Sequence, residues 1–99
     1  MLFRSRFAKG AAKLTPALAR DVALVAARAR GRTGWKRLVI EVYADKPGDT
    51  PANESLAARR AEALRKAFVA AGIAESALTV AVGDLAAKRA PTFDARISK

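Results

Sequence analysis

The amino-acid pattern predicts an α+β domain: a two-layer α/β sandwich of order β-α-β-α-β-β, in which a four-stranded mixed sheet carries two helices on one face. Three observations lead there. Two long segments, opening near Thr15 and near Thr50, place apolar residues at helical spacing. Shorter runs before, between and after them alternate apolar and polar residues with the period of a strand. Gly10, Gly31, Gly72 and Gly83 fall where these runs stop.

The elements follow in order. Residues 2–8 alternate, with Phe3, Ser5 and Phe7 pointing one way and Leu2, Arg4 and Arg6 the other, as on an edge strand that Lys9-Gly10 ends. Thr15-Pro16 is a helix start, with the hydroxyl as N-cap and the ring presetting φ at the first helical position. Leu18, Val22, Val25, Ala26 and Ala29 share one face of that helix. Gly31 is expected to stop it, with Arg28 and Arg30 near its negative end. Residues 35–43 form the strongest strand, with Leu38, Ile40 and Val42 toward the core and Val39, Glu41 and Tyr43 on a mixed, partly open face. A loop rich in Asp, Gly and Pro covers residues 45–51. The second helix is expected from Thr50 or Asn53 to Ala71, with Gly72 as its stop. Its core stripe is Ala57, Ala61, Leu64 and Phe68, extended by Ala71, and Glu62 and Lys66 form an i,i+4 pair in the favourable order. Leu78–Val82 is the third strand, residues 85–91 are a basic connector, and residues 92–98 alternate again, with Phe93, Ala95 and Ile97 opposite Asp94, Arg96 and Ser98.

Composition narrows the function. Residues 1–99 suit one small domain. About half the chain is apolar, much of it alanine, so Leu, Val, Ile and Phe must carry a thin core. With no cysteine, disulfides and thiolate metal sites are excluded. With no histidine either, the commonest general base and metal ligand is missing, and no paired carboxylates stand at useful spacing, which argues against an enzyme and against a metal or other cofactor. The net charge of +10 favours an anionic partner, unless a composition rich in Ala and Arg is its only source. No run is long and apolar enough for a transmembrane segment, and the basic start has no apolar signal core behind it. If it belongs to an exported protein, the chain is expected to be a mature or excised fragment.

The stretch that organises the chain is residues 38–61. Its strand ends in Val42-Tyr43-Ala44-Asp45, and its helix opens with Asn53-Glu54-Ser55-Leu56-Ala57-Ala58-Arg59-Arg60-Ala61. Asp45 and Arg60 stand fifteen residues apart. Together with Phe7 through Leu14-Thr15, Gly72-Ile73 and Asp94-Ala95-Arg96-Ile97, these motifs resemble the OmpA-like peptidoglycan-binding domain, the type also found in peptidoglycan-associated lipoprotein and flagellar motor stator proteins. The resemblance covers nearly the whole chain. Val42, Ala44 and Ala57 stand where that family has Gly, Thr and Ser, and the last motif lacks its Asn and one Arg.

What the resemblance implies is non-catalytic binding of peptidoglycan through the diaminopimelate of stem peptides, anchoring an envelope protein to the cell wall from the periplasm or outer membrane. Asp45 would accept hydrogen bonds from the ligand's ammonium, Arg60 would grip its carboxylate with a planar fork, and Asn53 and Arg96 would complete the pocket. Free backbone N–H groups at the start of the second helix would add to the attraction for a carboxylate. Each residue also has a plain reading. Asp45 caps its own loop, Asn53 caps the helix, Arg60 is solvated or partly buried beside the core stripe, and Arg96 lies on the wet face of its strand. Two other functions stay open. One is a fold-only relative that assembles with other envelope proteins. The other is a basic nucleic-acid-binding module, disfavoured by the lack of interleaved aromatics or a recognisable binding motif.

Overall fold

The computed structural model describes residues 2–3, 5–44, 50–84 and 92–98. Its elements run β1 (Leu2–Phe3), α1 (Pro16–Gly31), β2 (Arg37–Val42), α2 (Pro51–Ala70), a 3-10 turn (Glu75–Ala77), β3 (Leu78–Val82) and β4 (Phe93–Ser98). The body of the sheet has three strands. β2 lies at its centre, parallel to β3 and antiparallel to β4, with Leu38 beside Leu78 and Ile97, and Val42 beside Val82 and Phe93. The two residues of β1 pair antiparallel with Phe93 and Asp94 on the outer side of β4, giving the order β1-β4-β2-β3.

Periodicity placed the core well. The α1 face of Leu18, Val22, Val25, Ala26 and Ala29 is buried, as is the β2 trio of Leu38, Ile40 and Val42. Leu64 and Phe68 of α2 close over the same cluster from that side of the sheet, and Phe68 meets Phe93 edge-on with centroids 6.3 Å apart. Ala61 and Ala71 pack on it half-buried. Val42, which takes a family glycine's place, points into this core and is fully buried. No helix among the described residues is long and apolar enough to cross a membrane.

Three expectations need correcting. The first strand, expected over residues 2–8, is limited to Leu2–Phe3. Beyond it Phe7 turns into the core, and a tight turn closes with Ala11 N–H donating to the Ala8 carbonyl at 2.9 Å. Gly10 has φ +69° at the third position of that turn, where a side chain is disfavoured. The central strand is shorter than residues 35–43, since Trp35 packs beside the core rather than in the ladder. The α2 N-cap is Thr50, not Asn53, because the hydroxyl of Thr50 accepts the Asn53 N–H at 3.2 Å. The expected Glu62–Lys66 ion pair forms at 4.0 Å, and Glu62 is shared with Arg65 at 2.6 Å. Arg65 also reaches Glu75 at 2.6 Å, and the hydrogen bond from Arg65 holds the Glu62 carboxyl below its ordinary range. The expected basic connector over residues 85–91 lies outside the described residues.

Candidate functional site

Two polar residues are buried among the described ones, Arg60 and Thr92. Buried polar groups are the informative exceptions to an apolar interior; Arg60 lies in α2, within the organising stretch, and Thr92 just before β4.

Arg60 sits on the inner stripe of α2, between Ala57 and Leu64, and is 2% exposed. Its neighbours come from the far end of the sequence. The Nε–H donates to the Ala11 carbonyl at 2.8 Å and an Nη2–H to the Ala8 carbonyl at 3.3 Å. The guanidinium carbon lies 4.7 Å from the centre of the Phe7 ring. The turn around Gly10 presents both carbonyls on one side, so a planar fork can meet two acceptors at once. A buried cation is costly unless it is hydrogen-bonded. Here two main-chain dipoles and a ring face offset that cost.

Asn53 is half-buried and seven residues before Arg60, two turns up the same stripe. Its own N–H is taken by Thr50, and Pro51 has none, so the start of α2 offers a carboxylate less than a bare helix terminus would. Asp45 lies outside the described residues. The chain leading to it is fixed: Tyr43 N–H donates to the Thr92 carbonyl at 3.2 Å, and Gly83 N–H to the Val42 carbonyl at 2.8 Å. Thr92 is 3% exposed and its hydroxyl has no hydrogen-bond partner among the described residues.

Arg96 is not brought to Arg60. Its neighbour Ala95 faces the helices and is buried, so Arg96 points from the opposite face of the sheet. There it forms an ion pair with Glu41 at 2.8 Å, whose other oxygen accepts the Tyr43 hydroxyl at 3.3 Å. Burial, followed by the charge and hydrogen bond of Glu41, raises the Tyr43 phenol above its ordinary 10.0. The phenol keeps its proton longer in the fold than in the unfolded chain, so its contribution to stability is full below pH 10.0 and is lost as pH rises through the folded midpoint. Tyr43 is the only tyrosine, so titration by phenolate absorbance should give a midpoint above 10.0, lowered by Glu41→Gln. Gly83 lies under this ring: a Cβ there would stand 2.5 Å from Tyr43 Cε1. Gly83→Ala should swing the ring aside and bring the midpoint back toward 10.0.

Periodicity missed Phe7 and the carbonyls of Ala8 and Ala11 as partners of Arg60. Their one sequence signal is the Phe7-to-Leu14 motif, which says nothing of what the turn touches.

A family model described as the OmpA family matches residues 6–96. The chain belongs to the OmpA family. Among solved structures, this OmpA-family chain is similar to a MotB-like protein from Desulfovibrio vulgaris, with 19% identity and a TM-score of 0.73. That match covers 93% of this chain and 66% of the other. It is also similar to the OmpA-like domain of FopA1 from Francisella tularensis subsp. tularensis SCHU S4, with 16% identity and a TM-score of 0.63, covering 95% of this chain and 73% of that one. At these identities the likeness is one of fold. No curated protein matches the sequence.

Proposed function

We propose that this domain holds peptidoglycan non-covalently, through the diaminopimelate of a stem peptide, and anchors an envelope protein to the cell wall in the periplasm. The observation that carries this reading is Arg60. It is a buried guanidinium whose plane is fixed by two carbonyls and a ring, on the helix position where the family resemblance puts the carboxylate-gripping arginine. A preoriented fork loses little freedom when it meets a carboxylate. Asp45 would supply the anion for the ligand's ammonium, and Asn53, on the Arg60 stripe, a further polar contact. Arg96 has no part in this pocket unless the sheet's outer face is also covered. Ala44 and Ala57 remove two hydroxyls, which places more of the affinity on Asp45 and Arg60.

A soluble stem peptide carrying diaminopimelate tests the pocket by NMR. It should shift amides near Ala44 and along the first two turns of α2. The same peptide with lysine in place of diaminopimelate lacks the second carboxylate. Loss of one charge-assisted contact of about 1.5–3 kcal/mol should weaken it roughly tenfold or more. Equal binding of the two peptides would remove Arg60 from recognition.

The same contacts favour a second reading, in which Arg60 only fastens the N-terminal turn and the domain serves assembly with other envelope proteins. Absence of any shift with either peptide, in a folded domain, would favour it.

A further inference from the structure

The guanidinium of Arg60 is met by a part of the chain outside the strand and helix that carry the proposed pocket. On α2 its inward neighbours one turn away are Ala57 and Leu64, whose side chains hold no polar atom. Helical spacing therefore sets where the Arg60 side chain starts, and the N-terminal segment meets its far end. The Phe7 ring lies 4.7 Å from the guanidinium carbon, and the carbonyls of Ala11 and Ala8 accept its N–H groups at 2.8 and 3.3 Å.

Those partners are themselves held. The Ala8 carbonyl also accepts the Ala11 N–H at 2.9 Å, a double use that the two lone pairs of a carbonyl allow. Gly10 keeps the turn tight with φ +69°, and a Cβ there would meet nothing within 4 Å beyond its chain neighbours. One residue before Phe7, the Arg6 carbonyl accepts the Thr15 hydroxyl at 3.1 Å, while the same Thr15 oxygen accepts the Leu18 N–H at 3.2 Å. The turn is thus tied to the start of α1, and Arg60 to the turn.

We propose that the turn over residues 7–11 is a positioning element for recognition. Through Arg60, Phe7 and Gly10 set the preference for a stem-peptide residue that bears a side-chain carboxylate over one that does not. This rests on the reading of Arg60 as the group that grips that carboxylate. Neither Phe7 nor Gly10 has to touch the ligand. A ring face and two fixed acceptors hold the planar fork in one orientation, so less rotamer freedom is lost when a carboxylate arrives. Without the ring the guanidinium keeps its charge and its place on α2 but samples more orientations. Its contact with the carboxylate then weakens, while the contact of Asp45 with the ligand's ammonium does not.

The test titrates the intact chain by NMR with the diaminopimelate stem peptide and with its lysine counterpart. It also follows exchange of the Arg60 Nε–H with water in the ligand-free chain. Phe7→Leu keeps an apolar side chain and removes the ring face. Phe68→Leu makes the same change in the core, about two turns along α2 from Arg60. In Phe7→Leu the ratio of the two affinities should fall about two- to fivefold, with the lysine peptide bound as in wild type. The Nε–H should exchange faster by a like factor. Phe68→Leu should change neither. Gly10→Val opposes the left-handed backbone and should lower the ratio too, whereas Gly10→Asn, which tolerates that φ, should keep it.

Wild type that binds both peptides alike, or neither, would overturn the recognition reading and this proposal with it. Discrimination in wild type that survives undiminished in both Phe7→Leu and Gly10→Val would overturn the proposal alone. So would an equal loss in Phe7→Leu and Phe68→Leu, which is a general effect of stability. A lowered ratio with an unchanged Nε–H would also overturn it, and would place the ring against the ligand itself.

Discussion

Arg60→Ala should lower stability by about 3–5 kcal/mol, a large part of the roughly 5–15 kcal/mol that holds a domain of this size. Two hydrogen bonds from a charged group are lost together, and the carbonyls of Ala8 and Ala11 lose a buried donor. The Phe7 ring loses its cation as well. Each kcal/mol corresponds to about 4–8 °C in Tm for a domain of this length, so a fall well beyond 10 °C is expected on thermal unfolding. Arg60→Met refines the test. It keeps most of the volume and removes the donors, and it should still cost about 2–3 kcal/mol, because unsatisfied carbonyls are not repaired by apolar filling. Arg60→Lys keeps the charge without the fork and should fall between wild type and Ala. If Met restored full stability, the guanidinium would be filling space, not fastening the turn.

Phe68→Ala should cost about as much, 3–5 kcal/mol, by a different route. Phe68 is fully buried between helix and sheet, edge-on to Phe93. In a core so dependent on alanine, few side chains are large enough to collapse into the space. The cavity therefore remains, and the aromatic contact of about 0.5–1.5 kcal/mol goes with it. Phe68→Leu should recover most of the loss, in contrast to Arg60→Met. Chemical denaturation of the two pairs separates an apolar cavity from an unsatisfied polar one. Equal rescue in both would contradict the distinction.

The fold was largely legible where one residue type decides one property. Apolar spacing gave both helix faces, and alternation gave β2, β3 and β4, because each element buries one side only. The α2 start was legible only to within Thr50 or Asn53; the structure takes Thr50-Pro51, which repeats the Thr15-Pro16 start of α1. Arg60 was harder. Its place between Ala57 and Leu64 marked an inward position, but its partners lie 49 and 52 residues away in a turn whose carbonyls carry no sequence signature. The first strand shrank because Phe7 gains more by burial against Arg60 and the core than by extending a two-residue ladder. Arg96 matched a motif in sequence, yet the period of a strand fixed its face. Ala95, in the motif's other arginine position, is the residue that faces the helices.

The proposed anchoring role rests on Asp45 and Arg60 acting together, and Arg60 is also structural, so a binding test must keep the fold intact. The most direct measurement is sedimentation with purified peptidoglycan sacculi at moderate salt, comparing wild type, Asp45→Ala and Arg60→Lys, each verified as folded by its thermal transition. The account predicts that wild type sediments and both variants stay largely in solution. Sedimentation of all three alike, released by added salt, would contradict it and assign the binding to the +10 charge.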